Sequence, residues 1–102
     1  MRAQRWLYHA SPPERRARIA LLGLRPGTKA SYGPPAVYLF RSRLFAENYV
    51  PRPMDVWKVD LAGTKVYEDP EDPIAAVFTL NPVAVSRLTF LGTYTDGEPC
   101  QI

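Results

Sequence analysis

The chain has 102 residues, of which 46% are hydrophobic and 23% are charged, and its net charge is +3. This composition is typical of a globular protein and excludes a disordered tail, and the length predicts one domain over residues 1–102. No apolar run approaches the roughly 20 residues that cross a bilayer, and the start of the chain does not resemble a secretory signal. We therefore expect a cytoplasmic protein without a membrane partner.

The positive charge is concentrated in the first 43 residues, whereas an acidic stretch occupies residues 68–72. Such asymmetry would suit a polyanion or a phosphate-bearing ligand, or it reflects arginines on the solvated face of a helix. Cys100 is the only cysteine and His9 the only histidine. The sequence therefore predicts neither an intrachain disulfide nor a zinc site.

A strand and a capped helix are the first predicted elements. Residues 6–10 are rich in aromatic side chains, which is typical of a strand. Ser11, followed by a proline and then by Glu14, resembles a capping box and predicts a helix to about residue 22 that ends at Gly23. We expect four side chains of this helix to face the core: Ala17, Ile19, Leu21 and Leu22.

The middle of the chain predicts a strand, a short helix and a second strand. A polar loop over residues 28–35 leads into a strand at residues 37–40. Ser42 is placed to cap a helix from residue 43 to about residue 49, which two prolines terminate. Residues 55–61 alternate between polar and apolar, which indicates a half-buried strand.

The last third predicts further strands at residues 65–67, 74–80 and 88–95. The apolar run at 74–80 suggests a strand buried on both faces, and residues 83–87 predict either a helical turn or an extended bridge. Five or six strands with two early helices indicate an α+β domain whose mainly antiparallel β-sheet is split.

Several short motifs occur in a recognisable order along these elements. The order resembles that of the ADP-ribosyltransferase superfamily, and within it of the RNA 2′-phosphotransferases and small bacterial or phage ADP-ribosyltransferases. The resemblance spans about residues 7–91. The motifs are Leu7-Tyr8-His9 in the first strand, Gly23-Leu24-Arg25-Pro26 after the first helix, Val37-Tyr38-Leu39 in the second strand, and Val56-Trp57-Lys58-Val59-Asp60 in the third.

The resemblance implies that NAD binds in a cleft between the two halves of the sheet, with His9 and Tyr38 as the central and catalytic residues. His9 would donate a hydrogen bond to the adenosine ribose, and Tyr38 or Tyr32 would stack on the nicotinamide. The rings of His9 and Tyr38 are therefore expected to face one groove. The same resemblance implies that the cofactor contacts Tyr8, His9, Ala10, Arg25, Tyr32, Tyr38 and Arg41, with Arg25 or Arg41 at the pyrophosphate.

The chain departs from the family pattern at one catalytic position. Transferases with a His-Tyr-Glu pattern carry a glutamate at the head of a late strand, but no glutamate occurs here between Glu71 and Glu98. RNA 2′-phosphotransferases lack that glutamate as well, and Glu68 is a potential substitute. Two functions therefore stay open: transfer of ADP-ribose to a protein or nucleic-acid acceptor, and a degenerate module of the same fold that binds a partner protein or RNA.

Structural roles compete with these functional ones. A lone histidine beside an aromatic strand often serves packing, and Tyr38 on an alternating strand would fill a core equally well. The pairs Arg5-Trp6 and Phe40-Arg41 would also suit a basic domain that binds single-stranded RNA without a nucleotide pocket.

Overall fold

The computed structural model describes residues 5–26, 35–48, 53–70 and 72–95. These residues form an α+β domain with an open, antiparallel six-stranded sheet and two short helices, which confirms the predicted class. In the described part of the chain, no helix is long and apolar enough to cross a membrane. The strands are β1 (Trp6–Ser11), β2 (Val37–Phe40), β3 (Met54–Asp60), β4 (Tyr67–Glu68), β5 (Ala76–Thr79) and β6 (Leu88–Tyr94), and the helices are α1 (Arg16–Leu22) and α2 (Arg43–Glu47).

The sheet has the strand order β4-β5-β2-β1-β3-β6, and its two halves meet where β2 pairs with β1. β1 pairs with β3 over six residues, and β2 pairs with β5 over four. Between β1 and β2, by contrast, the register contains a single pair, Tyr8 with Phe40. The two halves therefore separate beyond this pair, toward Ser11 on one side and Val37 on the other. We term this opening the division.

The hydrophobic core lies on one face of the sheet, termed the core face. Neighbours across an antiparallel pair share a face, and successive residues of one strand alternate between faces. Leu7 opposes Val59 on the core face, and Ile19 of α1 packs against the same cluster. The buried apolar residues of this core are Leu7, Ile19, Leu24, Val37, Leu39, Trp57, Val59, Leu61, Val77 and Val83.

The opposite face carries most of the aromatic side chains and is termed the aromatic face. By the same register it contains Trp6, Tyr8, Tyr38, Phe40, Tyr67, Phe78 and Tyr94. Helix α2 covers one part of it, where Ala46 is fully buried. The helix packs mainly on β1, β3 and β2, and the hydroxyl of Tyr94 in β6 donates to Glu47 of α2 at 2.9 Å.

The first helix begins later than the sequence predicts. Residues 13–15 form a 3₁₀ turn, and the capping box is not formed, because Ser11 remains in β1 opposite Asp55. Of the four side chains expected in the core, only that of Ile19 is buried; Leu21 is 76% exposed. The predicted end of the helix is confirmed, since Gly23 terminates α1 with φ +77° and its N–H donates to the carbonyl of Ile19.

The second helix and the third strand agree with prediction in position. Ser42 caps α2 by accepting a hydrogen bond from the N–H of Phe45 at 3.3 Å. β3 is buried more completely than its alternation predicts: Val56 and Val59, on opposite faces, are both fully buried. The reason is that α2 covers the aromatic-face side of β3 while the core covers the other side.

The later strands are shorter than predicted. The apolar run at 74–80 yields β5 over only four residues, and Ile74, which lies before the strand, is 80% exposed. Burial alternates along β5, because no described helix covers the aromatic-face side of this strand. Both predictions for residues 83–87 are realised. Val83 forms a bridge with Leu24, and residues 85–87 form a 3₁₀ turn.

Candidate functional site

The division between β1 and β2 is the place where the sheet offers backbone groups to a ligand. The carbonyl of Tyr38 is directed toward β1, because it accepts a hydrogen bond from the side chain of His9. The backbone N–H and carbonyl groups of every second residue in a strand point toward the same neighbouring strand. Those of Phe40 therefore also point toward β1, and those of Tyr8 and Ala10 point toward β2. Ala10 has a register partner in β3 but none in β2. Its N–H and carbonyl therefore face the division.

His9 holds the two halves of the sheet together at the start of the division. Its Nδ1 lies 3.0 Å from the carbonyl oxygen of Tyr38. Because a carbonyl oxygen only accepts hydrogen bonds, Nδ1 must carry the proton in this contact. The imidazole thus replaces a missing ladder bond between β1 and β2.

The protonation state of His9 follows from its surroundings. Burial of the ring lowers the pKa of His9 from its usual 6.5, the hydrogen bond to Tyr38 opposes this shift, and the positive charge of Arg15 reinforces it. The imidazole is therefore neutral near pH 7. Since Nδ1 carries the only ring proton, Nε2 is a hydrogen-bond acceptor. The sequence predicts that His9 donates a hydrogen bond to a ribose hydroxyl, whereas in this tautomer Nε2 of His9 would accept one from it.

Two buried polar atoms next to His9 have no hydrogen-bond partner among the described residues: Oγ of Ser11 and Nε1 of Trp57. Trp57 opposes His9 directly, and Ser11 lies two residues further along β1 on the same face. Both side chains are at least 95% buried. An unpaired buried polar group costs about 1–3 kcal/mol, so an ordered water or a polar ligand at this place would complete two hydrogen bonds.

The side chains of His9 and Tyr38 do not share one groove, contrary to the sequence-based expectation. Tyr8 and Phe40 are direct partners and share the aromatic face, so Tyr38, two residues before Phe40, lies on that face as well. His9 alternates with Tyr8 and lies on the core face opposite Trp57. What connects His9 to residue 38 is the backbone carbonyl, not the phenol.

Tyr38 is part of an aromatic cluster on its own face. Its ring centroid lies 5.6 Å from that of Phe78, and the ring of Tyr67 stacks on Phe78 at 5.4 Å. Burial of the Tyr38 hydroxyl and the negative charge of Asp69 raise its pKa above the usual 10. The phenol is therefore protonated at neutral pH and cannot act as a base there.

The other residues that were predicted to contact the ligand lie in different parts of the structure. Arg41 lies at the closed end of β2, where its guanidinium donates to the carbonyl of Pro73 and to Glu68, so it is directed away from the division. Arg25 is exposed and follows Leu24, the residue that pairs with Val83. Tyr8 is half-buried on the aromatic face. Tyr32 lies outside the described residues.

Three site residues were not identified from the sequence. Arg15 is the cation whose charge acts on His9, whereas the sequence singled out Arg25 and Arg41. Ser11 was interpreted as a helix cap and Trp57 as a core residue. The spacing of Ser11 from His9 was the one available signal, because residues i and i+2 of a strand share a face.

Glu68, the potential substitute for the missing glutamate, lies away from His9. Glu68 is in β4, at the edge of the sheet, and two strands separate it from β1. Its carboxylate pairs with Arg41 at 3.4 Å and its side chain is 73% exposed. Glu68 therefore does not substitute for the missing glutamate. Among the described residues, no three side chains of the metal-binding types come together.

Comparison with known proteins gives no match, either among family models or among curated proteins.

Proposed function

We propose that this domain binds NAD or another nucleotide that contains ADP-ribose, and that the ligand lies across the division of the sheet. The observation that carries the proposal is the position of His9. His9 belongs to β1, and its Nδ1 donates a hydrogen bond to the carbonyl of Tyr38 in β2, which is in the other half of the sheet. This tie leaves Nε2 as a fixed acceptor for a ribose hydroxyl. The resemblance of the Leu7-Tyr8-His9 and Val37-Tyr38-Leu39 motifs to ADP-ribosyltransferases supports the same ligand class.

The surroundings of the division match the parts of such a nucleotide. On the core face, the hydroxyl of Ser11 and the indole N–H of Trp57 supply further hydrogen bonds, and Arg15 supplies positive charge near a phosphate. The backbone of Ala10 offers a donor and an acceptor in the plane of the sheet, which suits a carboxamide. A ligand at the division would thus contact His9 on the core face of the sheet.

The proposal concerns binding first and transfer second. Displacement of nicotinamide requires stabilisation of positive charge on the ribose, which a carboxylate provides in transferases with the His-Tyr-Glu pattern. Glu68 is held by Arg41 at the edge of the sheet and does not fill that role. We therefore expect weak transfer of ADP-ribose at most, and the alternative function is a module of this fold that binds without catalysis.

Thermal unfolding in the presence of NAD, ADP-ribose and a short RNA tests the proposal. A ligand that binds only the native state at a hundred times its Kd stabilises it by about 2.7 kcal/mol, which corresponds to roughly 10 °C in Tm for a domain of this size. We expect such a rise with NAD or ADP-ribose, and its loss in His9→Ala. Arg18→Ala, which removes an exposed α1 arginine outside the site, is the control and should keep the rise.

A lack of response to both nucleotides at millimolar concentration would contradict the proposal. If His9→Ala does not fold, Ser11→Ala replaces it as the test variant, because the Ser11 hydroxyl has no partner in the described fold. A labelled-NAD assay then separates the two functions: measurable transfer indicates an enzyme, whereas binding without transfer indicates the non-catalytic module.

A further inference from the structure

The aromatic face carries a group of aromatic side chains that have no role in the proposed nucleotide site. Among the described strands, the core face carries two aromatic residues, Trp57 and Phe90, whereas the aromatic face carries seven, including Tyr94. Aromatic side chains on an open sheet usually lie beneath a helix or a second sheet. Here the only described helix on this face is α2, which packs mainly on β1, β3 and β2 and is bonded to Tyr94 of β6. The rings of Tyr67 in β4 and Phe78 in β5 are on strands that are not among these main contacts.

The rings form a continuous group at one end of this face. Tyr67 and Phe78 stack with an interplanar angle of 24° and a centroid distance of 5.4 Å, and Phe78 contacts Tyr38 at 5.6 Å. Tyr67 remains 37% exposed at the outer edge. At the other end of the face, Trp6 is 39% exposed. Both of these rings are therefore partly exposed to solvent.

Cations accompany the exposed rings. The ammonium of Lys58 lies 4.4 Å from the ring centroid of Trp6, and the guanidinium of Arg5 lies 4.8 Å from it. Lys65 lies 5.5 Å from the ring of Tyr67. Arg5 is paired with Asp60, but neither lysine forms an ion pair with a described carboxylate. Each exposed ring thus has a lysine beside it whose charge no described acid neutralises.

We propose that the aromatic face binds a single-stranded nucleic acid. Bases stack on exposed aromatic rings regardless of sequence, while cations next to the rings meet the phosphates between successive bases. The alternation of ring and lysine at both ends of the face matches that repeat, and the net charge of +3 favours a polyanion. A purely apolar partner would leave Lys58 and Lys65 without a counter-charge, which argues against it.

The inference deepens the proposed function without depending on its outcome. If the division binds an ADP-ribose nucleotide, a nucleic acid on the aromatic face is the candidate acceptor or partner. If the division binds nothing, the aromatic face still binds the strand. NAD-dependent stabilisation and oligonucleotide binding are measured separately, so failure of one is distinguishable from failure of the other.

Tryptophan fluorescence reports on this surface directly. The chain has two tryptophans, and Trp57 is only 5% exposed, so quenching by a bound base arises mainly from Trp6. We expect single-stranded oligo-dT and oligo-rU to quench the emission at about 50 mM salt, and the quenching to disappear in Trp6→Ala. Anisotropy of a labelled oligonucleotide gives the affinity independently of tryptophan.

Matched variants distinguish binding at the aromatic face from nonspecific binding elsewhere on the protein. Trp6→Ala should weaken binding roughly tenfold or more, as expected for one lost stacking contact. Phe90→Ala is the control. Like Trp6, Phe90 is partly exposed, at 42%, and has a guanidinium over its ring, that of Arg16 at 5.0 Å from the centroid, but Phe90 lies on the core face. Lys58→Ala should weaken binding and lower the slope of log K against log salt by about 0.7 for one lost phosphate contact. Arg18→Ala is its charge control.

Three outcomes would overturn the inference. The first is the absence of binding to either oligonucleotide at low salt. The second is an equal loss in Trp6→Ala and Phe90→Ala, which would place the contact elsewhere. The third is equally tight binding of a fully paired duplex, whose bases are not available for stacking on the face.

Discussion

His9 and the two polar groups beside it define the candidate site at the scale of single residues. The imidazole is held by one hydrogen bond to the carbonyl of Tyr38, and the ring proton is thereby fixed on Nδ1. Ser11 and Trp57 each leave a buried polar atom without a described partner. An ordered water or a bound ligand would remove the cost of leaving these groups unpaired.

Substitution of Ser11 by alanine should therefore increase stability while it weakens ligand binding. The change removes a buried hydroxyl without a partner, and we expect the free energy of unfolding to rise by up to about 1 kcal/mol. Chemical denaturation measures the first effect and the nucleotide-dependent rise in Tm measures the second. A clear loss of stability would show that the hydroxyl has a structural partner and would remove it from the site.

Stability should also depend on pH through His9. Its pKa is lowered in the folded state by burial, so between the folded value and the unfolded value near 6.5 the unfolded chain binds more protons. The free energy of unfolding should therefore fall as pH decreases below about 6.5 and level off above that value. Since His9 is the only histidine, His9→Gln should flatten this part of the profile. An unchanged profile in that variant would contradict the assignment of a neutral, buried imidazole.

At the scale of elements, the strands were more predictable from sequence than the packing of the first helix. Residues 37–40 and 55–61 became strands within one residue of their predicted bounds, because alternation and flanking prolines are local signals. The inward face of α1 was not predicted correctly. Pairing of Ser11 with Asp55 in β1 removed the expected cap, a 3₁₀ turn displaced the helix start to Arg16, and only Ile19 packs inward.

The end of α1 offers a test of how the helix is joined to the sheet. Gly23 and Gly63 have nearly equal φ values, +77° and +78°, but a Cβ on Gly23 would lie 2.1 Å from the carbonyl oxygen of Val83, whereas nothing lies within 4 Å at Gly63. Gly63→Ala should cost only about 1 kcal/mol for its backbone conformation. Gly23→Ala should cost distinctly more, because it also disrupts the bridge between Leu24 and Val83.

Denaturation midpoints of both glycine variants measure this difference. The difference between them combines the steric conflict with Val83 and the ψ of −166° at Gly23, which at positive φ is a conformation that almost only glycine adopts. Equal losses would mean that the Leu24–Val83 bridge yields easily and contributes little to stability.

At the scale of the whole molecule, the sequence identified the fold class and the position of His9 but not the geometry of the site. The α+β class and the mainly antiparallel sheet were predicted from the order of elements, whereas the position of the single pair between β1 and β2 was not. The relation of His9 to Tyr38 depends on a single register pair, Tyr8 with Phe40, and no local pattern specifies register between distant strands. A shift by one residue would have brought both rings to one face.

The separation of faces also assigns different tasks to the two sides of the domain. The core face presents His9, Ser11 and Trp57 around the division, whereas the aromatic face presents rings and lysines. A nucleotide in the division and a strand on the aromatic face would meet near Tyr38, whose carbonyl holds His9 and whose ring contacts Phe78. The division thus connects the two proposed ligand sites.

The central claim, that a nucleotide binds at the division beside His9, is tested most directly by the nitrogen resonances of the imidazole. With one histidine in the chain, a ¹⁵N-labelled sample gives one pair of ring signals, and near pH 7 they should show a neutral ring protonated on Nδ1. Addition of ADP-ribose or NAD should shift the Nε2 signal saturably, while Nδ1 keeps its proton. Signals that stay unchanged at millimolar nucleotide, or a ring protonated on Nε2, would contradict the account.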